Sequence, residues 1–109
     1  MGGERRLVYC KDERERSYFS RWLSSLKEKK TQARIQNKVR QLRVGNFSNC
    51  KSVGGGVHEL KINYGPGYRV YFAPEGEEII VLIGGGDNST QEVDIYNAKS
   101  RYRRYKEND

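Results

Sequence analysis

Apolar and polar residues alternate through Val57–Phe72, VHELKINYGPGYRVYF, and the alternation predicts two strands joined at Gly65-Pro66-Gly67. Glycine takes backbone angles that a side chain forbids and proline fixes its own φ, so the tripeptide reads as a turn. Successive side chains of a strand point to opposite faces. On the first arm Leu60, Ile62 and Tyr64 share one face, and Glu59, Lys61 and Asn63 the other. On the second arm Tyr68, Val70 and Phe72 form the apolar set, while Arg69 and Tyr71 face away. With both apolar sets on one face, the opposite face collects Glu59, Lys61, Arg69 and Tyr71: a carboxylate, an ammonium, a guanidinium and a phenol on a rigid sheet.

The rest of the chain is arranged around this hairpin. Residues 7–11 form a short strand with Leu7, Val8 and Tyr9 as its strand formers. Tyr18, Phe19, Trp22, Leu23 and Leu26 recur at i, i+1, i+4, i+5 and i+8, one face of a helix, with Trp22 in the core. After a basic break at residues 27–30, Ile35, Val39 and Leu42 mark a second helix, and two helices on a short link make a helical hairpin. Residues 45–56 read as a loop ending in Gly54-Gly55-Gly56; no helix and no GK[ST] follow, so it is not a P-loop. Residues 73–76 are a turn, and EEIIVLI over 77–83 is the continuous apolar run of a central strand. Gly84-Gly85-Gly86-Asp87-Asn88 breaks it. Ser89-Thr90-Gln91-Glu92 then has the form of a capping box, Ser89 and Glu92 satisfying each other's amides, at the head of a last helix from Thr90 into the tail. The order β-αα-βββ-α predicts an α+β fold. A helical hairpin packs on the apolar face of a mainly antiparallel four-stranded sheet, and the polar face stays open with the C-terminal helix at its border.

A length of 109 residues makes residues 1–109 one domain. Lys plus Arg outnumber Asp plus Glu by 21 to 14, a net charge of +7, which points to a polyanion or an acidic protein as partner. The charge is clustered. Seven basic residues and one acid lie between Lys27 and Arg43, and KSRYRRYK at 99–106 carries five cations interleaved with two tyrosines. Such interleaving suits phosphate contact and base stacking, and equally a helix end whose dipole is met by cations. No apolar run is long enough to span a bilayer, and the N-terminal residues lack both an apolar signal region and the Ser or Thr of a myristoylation motif. Cys10 and Cys50 are expected as reduced thiols, which fits the cytoplasm.

His58 is the lone histidine, and no Cys, His or carboxylate cluster has metal-ligand spacing. Neither a nucleophile elbow nor a dinucleotide fingerprint is present, so no cofactor is expected. What remains is metal-independent phosphodiester chemistry. Cleavage of RNA by its own 2′-OH needs a base, positive charge for the phosphorane and an acid for the leaving oxygen. Lys61 could serve as base or acid, Arg69 as a bidentate phosphate donor, Glu59 as an alternative base, and Tyr71 as a stacking or proton-donating group. The same four residues also suit an ordinary cross-strand ion pair.

HELKINYGPGYRVYF, an apolar strand and then GGGDNSTQEVDIYNAK together resemble the RelE/ParE toxin superfamily, in its HigB-like addiction module killer branch. The resemblance spans the chain from first helix to last. It implies a small α/β sandwich and the toxin of a type II toxin–antitoxin system: a ribosome-dependent mRNA endonuclease that inhibits translation, or a ParE-like DNA gyrase inhibitor. Loss of catalysis would leave an inactive RNA- or antitoxin-binding module. The lysine and the GYR arginine of the RelE pattern fall on Lys61 and Arg69. Glu59 stands where RelE has a basic residue, Asn88 where the branch has lysine, and Asp94 near RelE's late tyrosine. Asn88, Gln91 and Asp94 thereby join the site's edge. Lys30, Arg34, Lys38, Arg101, Arg103 and Arg104 are the expected RNA grip. The implied partners are mRNA, ribosomal RNA and a cognate antitoxin, with no membrane and no small-molecule cofactor.

Overall fold

The computed structural model describes residues 3–108 and contains one five-stranded sheet between two helical layers. The chain runs β1 (Arg6–Tyr9), α1 (Tyr18–Ser25), α2 (Lys29–Arg43), β2 (Cys50–Gly54), β3 (Val57–Ile62), β4 (Tyr68–Glu75), β5 (Ile79–Asp87), a 3-10 turn over Asn88–Thr90 and α3 (Gln91–Glu107). Spatial order is β1-β5-β4-β3-β2. β2 to β5 form an antiparallel meander, and β1 joins β5 in parallel, with Leu7 opposite Ile80 and Tyr9 opposite Leu82. The parallel pair is possible because the α1–α2 unit and the first part of the meander separate its strands in sequence.

The hairpin puts its apolar and polar sets on the faces that alternation predicts. Glu59 pairs with Tyr71, Leu60 with Val70, and Lys61 with Arg69. Leu60, Ile62, Val70 and Phe72 meet Phe19, Leu23, Ile35, Val39 and Leu42, so α1 and α2 cover the apolar face. Ser17 starts α1 by accepting the Ser20 amide at 3.1 Å.

Four expectations change. The sheet has five strands rather than four, because Cys50–Gly54 lies in the expected loop and pairs with β3. Gly55 and Gly56, both at positive φ, are the turn of that extra hairpin, with Gly54 closing β2 opposite Val57. β4 continues through Pro74 to Glu75, so the turn before β5 falls later than residues 73–76. The polar face is not open. α3 lies across it, packing Ala98 and Tyr102 on Val57, Tyr71, Ala73, Val81 and Ile83 as a second core. The capping box does not form either. Asp87 takes that place, accepting the Ser89 amide at 2.8 Å and the Ser89 hydroxyl at 2.6 Å.

β5 contains a bulge: Phe72 pairs with Leu82 but Tyr71 pairs with Gly84, so Ile83 is the extra residue. The three glycines beyond it admit side chains from the helices. A Cβ on Gly84 would lie 2.8 Å from Arg101 Nη1, and one on Gly85 would collide with the Trp22 ring. Trp22 is held between Phe19, with ring centroids 6.0 Å apart, and Tyr68, at 6.3 Å. It therefore has little room to retreat. Gly85→Ala is expected to destabilise the fold by about 2–3 kcal/mol through overpacking. The check is a fall in the urea midpoint with an unchanged slope; a midpoint equal to wild type would mean that Trp22 swings clear.

Candidate functional site

The face that carried Glu59, Lys61, Arg69 and Tyr71 in the sequence carries them in the structure, but α3 divides the group. Glu59, Arg69 and Tyr71 are buried and Lys61 is exposed. The inward stripe of α3 is Gln91, Asp94, Ile95, Ala98, Arg101 and Tyr102, at helical spacing. Its first two members are polar because they sit over polar residues of the sheet.

Glu59 is the hub. Its Oε2 accepts the Tyr71 hydroxyl at 3.1 Å and the Gln91 amide at 3.0 Å. Its Oε1 faces Arg69 Nε at 3.7 Å and the Lys51 ammonium at 3.9 Å. A carboxylate only 2% exposed is tolerable because it is met by two hydrogen-bond donors and two cations. Burial, then the Glu59 charge, pushes the Tyr71 phenol well above its ordinary pKa. Tyr71 thus stays a neutral donor to Glu59, behind Arg69 and away from solvent.

Arg69 is held differently. It is 8% exposed, and its Nε and Nη1 make no hydrogen bond. The 3.7 Å approach to Glu59 is an ion pair too long to satisfy either N–H. A buried guanidinium with two unspent donors is costly unless something else takes them. On one side Arg69 is flanked across the strands by Lys61, whose ammonium has no ion pair or hydrogen bond among the described residues. On the other side it is flanked by Gly86, which has no side chain. The arrangement is a recessed guanidinium beside an exposed ammonium, oriented by a buried carboxylate. Nε and Nη1 are enclosed and the Asp94 carboxylate lies over Gly86, so an oxyanion would meet this guanidinium only through the small part that reaches solvent, beside the Lys61 point charge.

The residues at the border have specific places. Asn88 ties the β3–β4 turn to the start of α3: its Nδ2 donates to Pro66 O at 2.8 Å and its amide to Gly67 O at 3.1 Å. Gln91 orients Glu59. Asp94 accepts the Thr90 hydroxyl and lies over Gly86, where any Cβ would collide with its carboxylate.

The expected RNA grip falls on both sides of the sheet. Lys30, Arg34 and Lys38 are on α2, over the apolar face, with the Arg34 guanidinium 4.3 Å from the Tyr64 ring centre. Arg103 and Arg104 are exposed on α3, whereas Arg101 turns inward and stacks on Tyr18 at 3.9 Å. The structure brings Arg101 near Asp94 and Gly84, and leaves the α2 cations apart from them. Lys51 is the site residue the pattern did not reveal. Had Cys50–Gly54 been read as a strand, parity would have set Lys51 opposite Glu59.

The fold and site define a small α+β domain with a mixed sheet and a buried carboxylate–arginine network open to solvent at Lys61. No family model matches the chain. A Haemophilus influenzae protein described as an uncharacterized protein is 44% identical over 81 residues, covering 74% of this chain and 82% of the relative. The chain belongs to that protein's family.

Proposed function

We propose that this chain is the toxin of a type II toxin–antitoxin pair, of the RelE/ParE superfamily and its HigB-like branch, and that it cuts mRNA on the ribosome in the cytoplasm. The observation that carries the reading is Arg69: a guanidinium 8% exposed, with two N–H groups unspent, next to the exposed Lys61. In the proposed reaction the 2′-oxygen attacks the adjacent phosphorus and the bond to the 5′-oxygen breaks. One proton leaves the 2′-OH and one reaches the departing 5′-oxygen. Arg69 meets the non-bridging oxygens, whose charge grows in the phosphorane, through the part of its guanidinium that reaches solvent, its buried Nε and Nη1 holding the plane in place. Lys61, the exposed amine beside it, exchanges one of the two protons and solvent water exchanges the other. Glu59, Tyr71 and Gln91 position Arg69 and do not touch RNA. The net charge of +7 suits a nucleic acid substrate and an acidic antitoxin.

The test is primer extension on cellular mRNA after brief induction, with Lys61→Ala beside wild type. Cuts inside translated codons that vanish in the variant are expected. Growth arrest with intact mRNA would replace this reading with gyrase inhibition, and neither arrest nor cuts would leave an inactive binding module.

A further inference from the structure

β1 is shorter than the strand it borders. Its last ladder pair is Tyr9 with Leu82, and Cys10 adds one bond, its amide to Leu82 O at 2.9 Å. The Cys10 carbonyl then accepts from Tyr18, at 3.2 Å, and the chain leaves the sheet. From Ile83 onward β5 has no strand neighbour on that edge among the described residues. A cleft of about 300 Å³ opens there, with Gly85 at its floor. α1 supplies one wall through Arg21 and Trp22, and α3 the other through Asp94 and Arg101. This size is at the lower end of small-molecule sites, about 300–1,000 Å³.

The contents of the cleft are selective. Arg101 is half-buried, and among the described residues its guanidinium makes no hydrogen bond and no ion pair; its partner is the Tyr18 ring. Burial lowers its pKa, as expected for a cation removed from water without a bonded counter-ion. Arg21 spends Nη1 on Asp12 at 3.3 Å and keeps its other donors. Trp22 gives an aromatic wall, its ring lying over Gly85 where a side chain would not fit. Two cations, an indole and the Asp94 carboxylate, an acceptor for a base N–H, line the open edge and match the parts of one nucleotide. Bases stack on aromatic rings and on guanidinium planes, and arginine takes phosphate. Asp94 borders both places: it lines this cleft and lies over Gly86, the cross-strand partner of Arg69.

We infer that this cleft is a nucleotide subsite, holding the base of one RNA nucleotide between Trp22 and Arg101, with a phosphate on Arg101 and Arg21. The inference deepens the endonuclease reading and rests on it for the identity of the polymer. It gives the nuclease a place to read a base next to the scissile phosphate.

Trp22 is the sole tryptophan, so its indole N–H is a single reporter resonance. The full chain, labelled with nitrogen-15, is titrated with guanosine and uridine 5′-monophosphates, and with ribose 5-phosphate as a probe lacking the base. A saturable shift of the indole resonance is expected with the nucleotides and not with ribose 5-phosphate. Arg101→Gln is expected to weaken binding about tenfold or more, the worth of a charge-assisted hydrogen bond. Arg21→Gln alters an exposed side chain, is expected to weaken binding severalfold, and keeps the test decisive if Arg101→Gln does not fold. An unmoved indole, an equal response to ribose 5-phosphate, or wild-type affinity in every folded variant overturns the subsite. mRNA cuts with a silent indole would overturn this inference alone. A nucleotide-responsive indole with intact mRNA would support the subsite and overturn the nuclease reading alone.

Discussion

Arg69→Met is expected to abolish mRNA cleavage while leaving the domain folded at close to wild-type stability. The two effects separate because Arg69 is poorly satisfied in the free protein. Its Nε and Nη1 are buried without a hydrogen bond, and removing such donors recovers about 1–3 kcal/mol of desolvation cost. Against this, Glu59 loses a countercharge at 3.7 Å, although it keeps the hydrogen bonds from Tyr71 and Gln91 and the Lys51 ammonium. The opposing terms leave a net change within about 1 kcal/mol. Catalysis has no such compensation. Loss of a preorganised donor to a developing oxyanion costs about 10²–10³ in rate. The measurements are primer extension on mRNA from induced cells and a thermal melt of the purified variant. A variant that melts many degrees lower and loses cleavage in proportion would make Arg69 a structural residue and remove the central support for the nuclease reading.

Glu59→Ala is expected to do the reverse, striking stability first. The substitution strands the Tyr71 hydroxyl, the Gln91 amide and the Arg69 guanidinium at once, in a site 2% exposed, and leaves a void. Removing one partner of a buried charged network costs about 3–5 kcal/mol. A domain of this size has about 5–15 kcal/mol in total. The expected signature is a fall in denaturation midpoint with unchanged slope, and a Tm lower by about 15 °C or more. Glu59→Gln keeps an acceptor for Tyr71 and should recover most of the loss. If Glu59→Ala melts like wild type, water or Lys51 is replacing the carboxylate, and the hub assignment falls.

These two residues also indicate how far the sequence could be read. The gathering of Glu59, Lys61, Arg69 and Tyr71 on one face was legible, because alternation assigns each strand residue a side; the pairing of Glu59 with Tyr71 and of Lys61 with Arg69 came from the structure. The α1–α2 layer was legible for a similar reason: its apolar stripes match helical spacing. The extra strand was not. CKSVG is polar, lies at the sheet's edge and runs into three glycines, all features of a loop, and its pairing with β3 rests on long-range context. The covering of the polar face was hidden by the same chemistry that makes it a candidate site. α3 turns the half-buried Gln91, Asp94 and Arg101 inward along with the buried Ala98 and Tyr102, so its inward stripe lacks the apolar periodicity that marks a buried helix. The cap moved from Ser89 to Asp87 because β5 extends to Asp87 and its carboxylate reaches the Ser89 amide first.

The bulge at Ile83 gives β5 one residue more than its ladder requires. Pairing places both Ile83 and Gly84 against Tyr71, on the side that α3 covers. A chain shorter by one glycine could therefore lose a codon without losing register. Ile83 would pair with Tyr71, and the two remaining glycines would still lie under Trp22 and Asp94. What such a deletion would forfeit is the empty position beneath Arg101, now filled by a branched side chain where the guanidinium lies. The surplus residue is the means by which a strand of ordinary length keeps an arginine folded against its own edge.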